Sequence, residues 1–563
     1  MKNAFKLTIV ASALIGGLFA CSDSFLDTPP QAALSNTTLA SSKNGVDATL
    51  ISAYASLNGW TGNWNEATWG TAASNWVFAT AADEAHKGSE PGDGDDILAW
   101  ELFQWNPADG NLRAKWVATY EGIARANSAI NTAKSFLDAN PGESAYANGV
   151  LGEATFLRAF YHFEAYKIWK KAPYYFEDDV NFEKANDQEM LPLIIADLES
   201  AIGNLPENRS SVGRTDKTVA TAYLGKAKLY GGDHAGALAA FNTVINSGKY
   251  SLADCFYDNF SVAGDNNSES IFAAQSSVND GDGDGANANF GERLALPHGA
   301  SPYGCCGFKT PTYDLAFAYK VNADGLPIPT VGATLAEIEA GAPDALDPRI
   351  DFTIGRTGVP YLDWGTHEDS WVRGQGYMGW YSPKKNGHAK VDASLSGGWS
   401  GAQLSALNVE LLRYSDVLLM AAECEVEVGD LNKARSYVNM VRARAGNCAQ
   451  GSSSIAVAPD ADEITWATYK VGTYDTPWTD KAAARNAVRT ERRLELALEG
   501  HRVFDLQRWG IYESLMSEYT PREAKLVTVL QQAQAPTAKN YAFPIPSTEV
   551  ERSNGNLKQN TGY

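Results

Sequence analysis

The sequence is short of three things: positive charge, cysteine and long apolar runs. Lysine and arginine number 46 against 67 aspartates and glutamates, a formal charge of −21 and an isoelectric point near 4.8. Phosphate backbones are bound by basic faces, so this balance excludes nucleic acid as a natural partner. It suits a solvated extracellular surface. Beyond the first twenty residues no stretch reaches the roughly 20 apolar residues that a membrane-spanning helix needs. Six cysteines in 563 residues leave little room for a disulfide-built fold.

What is present begins with an export signal. Lys2 and Lys6 precede an apolar run from Leu7 to Phe19, interrupted by Thr8 and Ser12 and too short to span a bilayer. It ends at Leu18-Phe19-Ala20-Cys21, small residues before a cysteine, followed by polar Ser22-Asp23-Ser24. That arrangement suits a lipoprotein signal peptide over residues 1–20, with Cys21 lipidated and the mature chain tethered by acyl chains worth ~0.8 kcal/mol per buried methylene. The remaining cysteines, Cys255, Cys305, Cys306, Cys424 and Cys448, are odd in number and read as no disulfide framework. Cys424 and Cys448 fall near opposite ends of a helical hairpin turning at Gly429-Asp430, ~20 Å apart, and should not pair. Adjacent Cys305 and Cys306 mark an unusual loop, as a strained ring or as two free thiols.

Periodicity predicts a mainly α fold. Helices are expected over Arg113 to Leu137, Gly152 to Trp169, Leu191 to Leu205 and Val219 to Tyr230, with another starting after Gly232-Asp233, where Asp233 can cap. Gly232-Asp233 followed by Ala237, and Gly429-Asp430 followed by Ala434, repeat one pattern between amphipathic helices. This is the outline of tetratricopeptide-like pairs, although Thr221 and Lys228 stand where that repeat has large aromatics. Between about 250 and 405 glycine, asparagine, proline and aromatics replace helical periodicity, the mark of a functional loop region. Asn447 to Thr479 is loop-rich, Lys481 to Arg508 reads as one helix, and Tyr541-Ala-Phe-Pro-Ile-Pro is extended. The expected division is an N-terminal helical part (21–250), a loop-rich variable lobe (251–405), and a C-terminal helical part with its tail (406–563).

Fifteen tryptophans and twenty-five tyrosines are many. Six of the fifteen tryptophans fall between Trp60 and Trp105. Trp76 and Trp116 sit in apolar runs and are assigned to the core. Trp60, Trp64 and Trp105, among glycine and asparagine, are candidates to present flat faces to a sugar ring, which also needs fixed polar arms for its hydroxyls. Asp280-Gly-Asp282-Gly-Asp284-Gly285 copies the start of an EF-hand loop, but its twelfth position is Gly291 and Glu292 comes one residue late. A solvated acidic loop is preferred over a structural calcium site, and no cofactor or metal is assigned. Alternating arginine and glutamate in Arg489 to Arg508 support a helix rather than a catalytic site, with His501 a structural hydrogen-bonder.

In order along the chain, several motifs coincide: Cys21-Ser-Asp-Ser-Phe25-Leu26-Asp27, Phe156-Leu157-Arg158-Ala159, Ile245-Asn-Ser-Gly248-Lys-Tyr250, and Arg413-Tyr414-Ser-Asp416 through Glu423. Next come Asn439-Met-Val-Arg442-Ala-Arg444-Ala-Gly446, Glu491-Arg-Arg493-Leu-Glu495 through Glu499-Gly500-His501-Arg502, Arg508-Trp509-Gly510, and Asn556-Leu-Lys-Gln559-Asn560. By these the chain resembles the SusD-like (RagB/SusD) nutrient-binding lipoproteins. The resemblance implies about four tetratricopeptide-like pairs carrying the variable lobe. It also implies poly- or oligosaccharide capture without catalysis, a place on the outer face of the outer membrane, and a SusC-like TonB-dependent transporter as partner. Asp83-Glu-Ala-His-Lys87-Gly88, Ser276-Ser-Val-Asn279-Asp280-Gly281 and Tyr303-Gly-Cys305-Cys306-Gly-Phe308 are similar to a subgroup that includes fructan binders. That likeness implies sugar contacts from Cys305, Cys306, Arg373 of Trp371-Val-Arg373, Trp399 and Asp93. The chain departs from the fructan binders at about Gly110, where they carry tryptophan. Two other readings compete, a glycoside hydrolase with paired carboxylates and a surface scaffold or adhesin.

Overall fold

The computed structural model describes residues 35–58, 74–281, 287–330, 334, 336, 345–397 and 403–563. Its frame is a run of helices, each packed on the next: α1 (Lys43–Ala55), α2 (Gly110–Ala139), α3 (Ser144–Trp169), α4 (Met190–Asn204), α5 (Lys217–Tyr230) and α6 (His234–Asn246). After the lobe the run resumes with α7 (Tyr414–Val428), α8 (Leu431–Ala445) and α9 (Lys481–Leu496), α7 packing back against α6. Tight connections make hairpins of α2–α3, α5–α6 and α7–α8, while α9 lies against both α7 and α8. The expected helical positions are met, and the fold is mainly α and tetratricopeptide-like.

The local causes are ordinary. Asp216, Asp233, Asp430 and Asp480 cap α5, α6, α8 and α9 by accepting backbone N–H bonds of the first turn. The repeat's small-large complementarity is physical: a Cβ on Gly225 of α5 would lie 2.6 Å from the Phe241 ring of α6. One expectation fails. Lys481 to Arg508 is not one helix, because Ala497 is extended and Leu498 takes φ of 64°, before α10 (Arg502–Arg508) begins. The break turns Glu499 toward Arg413 and Lys385, whose side-chain nitrogens donate to its Oε1 at 2.8 and 2.7 Å.

Between α6 and α7 the chain forms short strands and 3-10 turns. Its strands of four or five residues are β2 (Ser270–Ala274), β3 (Phe308–Pro311) and β4 (Val409–Arg413), and β1 (Ala85–Gly88) comes from the segment between α1 and α2. They pair antiparallel as β1 with β3 and β2 with β4. The lobe is held to the helices by a buried ionic network. Arg413 binds Glu269 and Glu495 at 2.8 and 2.5 Å, and Arg444 binds Glu269 at 2.5 Å and also Glu495. Arg349 binds Asp347, Glu491 and Glu495, at 2.7, 2.8 and 2.8 Å, and Arg442 binds Glu491 at 2.7 Å. These side chains are at most 4 % exposed. The alternating charges of α9 are therefore packed, and much of the shared motif set is this network. His501 stands beside it, its pKa pushed down to about 3 by burial and then by Lys226.

The cysteine count misleads. Cys255 at the start of the lobe is bonded to Cys448 just beyond α8, and Cys305 to Cys306. Cys424 is the leftover, buried in α7. An odd total thus hides two bridges and one core thiol, while Cys424 and Cys448 stay unpaired with each other as expected. Among the described residues no helix is long and apolar enough to cross a membrane.

Candidate functional site

The β1–β3 ladder brings two of the motifs together. Gly88 pairs with Phe308, and one step further Ser89 N–H donates to Gly307 O at 2.6 Å. The segment Asp83 to Gly88 is thus the strand that supports the Cys305–Cys306 loop. Gly88 (φ +79°) and Gly307 (φ +80°) let the backbones touch: a Cβ on Gly88 would fall 2.3 Å from Gly307 O. A Cβ on Gly307 would meet Arg373 Cβ and His298 Cβ, each at 3.1 Å. Arg373 and His298 therefore flank the disulfide loop. The Cys305–Cys306 peptide bond is cis, and Cys305 is the more exposed of the two.

Arg373 is held in place from the other side of the ladder. Its Nη1 donates to Asp93 Oδ2 at 2.7 Å and to Ser89 Oγ at 3.0 Å, and its Nη2 to Glu90 Oε1. Ser89 Oγ donates to Asp93 at 2.6 Å, and Lys87 Nζ closes the turn by donating to the carbonyls of Glu90 and Asp93 at 3.0 and 2.5 Å. These bonds use three of the five guanidinium N–H groups, leaving Nε–H and one Nη2–H for a ligand. Burial, with the charge of Arg373 second, holds His298 below the usual imidazole range, so a neutral ring able to donate and accept stands beside the guanidinium.

Aromatic faces come from a segment outside the predicted site residues. Four residues past Arg373, the partly exposed Tyr377 ring centroid is 5.4 Å from Lys87 Nζ, and Trp380 is 44 % exposed. The signal was available: Trp371-Val-Arg-Gly-Gln-Gly-Tyr377-Met-Gly-Trp380 sets aromatics among glycines immediately after the arginine. Gln403 adds an amide, its Nε2 donating to Cys306 Sγ at 3.5 Å. The Ser276–Gly281 stretch lies behind, Asn279 Nδ2 donating to Ser394 O at 3.0 Å beside the two-residue strands Ser396–Gly397 and Leu404–Ser405, which pair.

The structure thus unites Asp93, Cys305, Cys306 and Arg373. Trp105 is a correction: it is 4 % exposed and stacks on Phe543 with centroids 4.0 Å apart, so it has no free face. Trp76 and Trp116 are core, as expected, and Trp100 joins them. Tryptophan density between 60 and 105 therefore reflects packing as well as any surface role. Trp60, Trp64, Trp399 and Cys21 lie outside the described residues. Gly110 opens α2, where an added Cβ would meet nothing within 4 Å, and its neighbour Asn111 donates to Asp96 at 2.8 Å. This position is open, and Asn111 beside it ties α2 to Asp96, three residues past Asp93. Asp282 and Asp284 are outside the described residues, and Glu292 is engaged by Lys309 at 3.0 Å. Among the described residues no group of His, Cys, Asp and Glu is spaced to hold a metal.

A tetratricopeptide-like frame carrying a disulfide-ringed loop cluster defines a class of repeat-scaffold protein. The family model described as "SusD family" matches residues 268–563. One described as "Starch-binding associating with outer membrane" matches residues 24–230. The chain belongs to the SusD family. SusD-like protein P38 of Formosa agariphila is 24% identical over 523 residues, covering 90% of this chain and 91% of the relative. The crystal structure of a SusD-like carbohydrate binding protein from Bacteroides fragilis superposes with a TM-score of 0.70 at 20% identity, covering 92% of this chain and 100% of the other. Surface glycan-binding protein A from Bacteroides thetaiotaomicron, in complex with laminarihexaose, gives 0.65 at 19% identity over 92% of this chain and 99% of the other.

Proposed function

We propose that this chain captures a poly- or oligosaccharide at the cell surface without cleaving it, at the cluster formed by Cys305–Cys306, Arg373, Asp93, His298, Tyr377 and Trp380. The supporting observation is the preorganised Arg373, fixed by Asp93, Glu90 and Ser89 with two N–H donors to spare, together with the partly exposed Tyr377 ring near Lys87 of the same turn. Sugars need that combination: donors fixed before binding, and flat apolar faces for the C–H side of the ring. A hydrolase would need one carboxylic acid free to protonate the glycosidic oxygen. Here Glu90 and Asp93 are both engaged by Arg373.

Lipid on Cys21 would hold the protein at the outer face of the outer membrane, and the captured sugar would pass to a SusC-like TonB-dependent transporter. Trp60, Trp64 and Trp399 are further candidates for sugar contact in this reading. The laminarihexaose complex of a structural neighbour puts laminarin first among the glycans to test, ahead of levan, xylan, pectin and mannan. Incubation of the purified chain with each glycan tests the proposal. Retardation without product release supports binding, release of shorter sugars supports a hydrolase, and neither outcome supports a scaffold. Cys21→Ala should release the chain from membranes, and unaltered fractionation would place the anchor elsewhere.

A further inference from the structure

The C-terminal tail builds a second concavity that shares no residue with the Arg373 cluster. Lys170, Lys171, Lys539 and Lys558 line a pocket of about 690 Å3, whose lining includes one acidic residue, Asp187. This is an unexpected concentration in a chain of formal charge −21. Two surface lysines elsewhere are matched by carboxylates, Lys43 by Glu143 and Lys217 by Glu207, each at 2.7 Å. None of the four pocket lysines makes an ion pair with a described carboxylate.

The pocket is constructed, not a chance gap. Buried Asn186 clamps the two lysine-bearing segments: its Nδ2 donates to Lys171 O and Lys558 O at 3.2 and 2.8 Å, and its Oδ1 accepts Lys558 N–H at 2.9 Å. Asn560 ties the tail to the end of α3 by donating to Trp169 O at 2.8 Å. Lys170 caps α3 at φ +59°, a left-handed conformation uncommon outside glycine, and its Nζ lies over the Tyr166 ring of α3, 5.2 Å from the centroid. Lys539 Nζ lies over the Tyr563 ring, 5.4 Å from its centroid. Burial, followed by the like charge of Lys167, lowers the Lys170 ammonium to about 8.

We propose that this pocket binds a saccharide bearing a tetrahedral oxyanion, a phosphate or sulfate ester. Lysine ammonium groups are compact point charges and suit three-pronged oxyanions better than planar carboxylates, which favour the arginine fork. In the free chain Lys558 Nζ donates to Gly555 O at 2.7 Å, a carbonyl of the pocket wall. The volume exceeds that of a bare ion, and the wall includes Asn556 and Tyr541 for the attached sugar.

Titration calorimetry of the full mature chain tests this with glucose 6-phosphate, glucose 6-sulfate and glucose. Saturable binding of an ester, weakened by salt and not seen with glucose, is expected. Lys539→Gln with Lys558→Gln should lower that affinity by at least about ten-fold, with the thermal midpoint and retention on a neutral glycan gel unchanged. Lys171→Gln alone provides a second, milder variant should the double one unfold. Co-sedimentation with phosphatidylcholine vesicles, with and without lipid A, identifies the source. Lysine-dependent capture by lipid A vesicles means a membrane headgroup, whereas ester binding without capture means a soluble ligand. Absence of binding in both arms, equal binding of glucose, or full affinity in the lysine variants would overturn the proposal.

Discussion

Arg373 Nη1 lies 2.7 Å from Asp93 Oδ2, although 280 residues separate them. The pair fixes the guanidinium beside the disulfide loop before any sugar arrives. Arg373→Ala should weaken glycan binding about 10- to 100-fold, the range for losing hydrogen bonds to a charged group. Asp93→Asn, which keeps the shape and loosens the anchor, should have a smaller effect. Calorimetric affinities with unchanged thermal midpoints would separate a binding role from a folding one.

The buried network makes a different demand. Glu495 accepts from Arg349 and Arg413 at 2.8 and 2.5 Å and also from Arg444, with no exposure to water. Glu495→Gln removes a charge that three arginines share, while Arg349 keeps Asp347 and Glu491, and Arg413 and Arg444 keep Glu269, so a cost of about 1.5–3 kcal/mol is expected. Domains are stable by roughly 5–15 kcal/mol, so a clear fall in the denaturant midpoint is expected. A change below ~1 kcal/mol would show that the network is not integral to the fold.

These two residues show what a sequence does and does not reveal. The helical pairs were legible because apolar spacing and aspartate caps are local properties, as at Asp233 and Asp430. The break at Leu498 was not, since the charges that draw Glu499 out of the helix come from Arg413 and Lys385 in other segments. The Cys255–Cys448 bond spans 193 residues, and no count of thiols reveals such a pairing. Trp105 and Trp380 look alike in composition, both near glycine and polar residues, yet one stacks on Phe543 and the other is open to solvent. Arg373 and Asp93 were reached only through family resemblance. Tyr377 was within reach of the residues alone.

His86, on β1 just before the site, sits between Glu101 Oε1 and Glu523 Oε1, at 3.1 Å from each. Burial would lower its pKa, but the two carboxylates reverse this and raise it to about 9, above the ordinary 6.5. The folded state therefore binds this proton more tightly than the unfolded state. The resulting stability is fully present below pH 6.5 and is lost as pH rises through about 9. The total is on the order of 3 kcal/mol. Denaturant midpoints across that window should fall for the native chain and be flatter for His86→Gln. Parallel slopes would contradict the assignment.

The Cys255–Cys448 bond ties the lobe to the end of α8. Cys255→Ser with Cys448→Ser should lower stability by about 2–5 kcal/mol. Glycan affinity should be unchanged, because the Arg373 cluster is built from other segments. Chemical denaturation read beside affinity electrophoresis checks both halves of this expectation.

The central claim, capture of sugar without cleavage at the Arg373 cluster, is tested most directly by affinity electrophoresis of the mature chain and its Arg373→Ala, Tyr377→Ala double variant. Gels containing laminarin, levan, xylan, pectin or mannan would be run with a reducing-end assay on the same mixtures. Expected are retardation of the native chain by at least one glycan, its loss in the variant, and no new reducing ends. Unretarded migration on every gel, equal retardation of the variant, or release of reducing ends would contradict the claim.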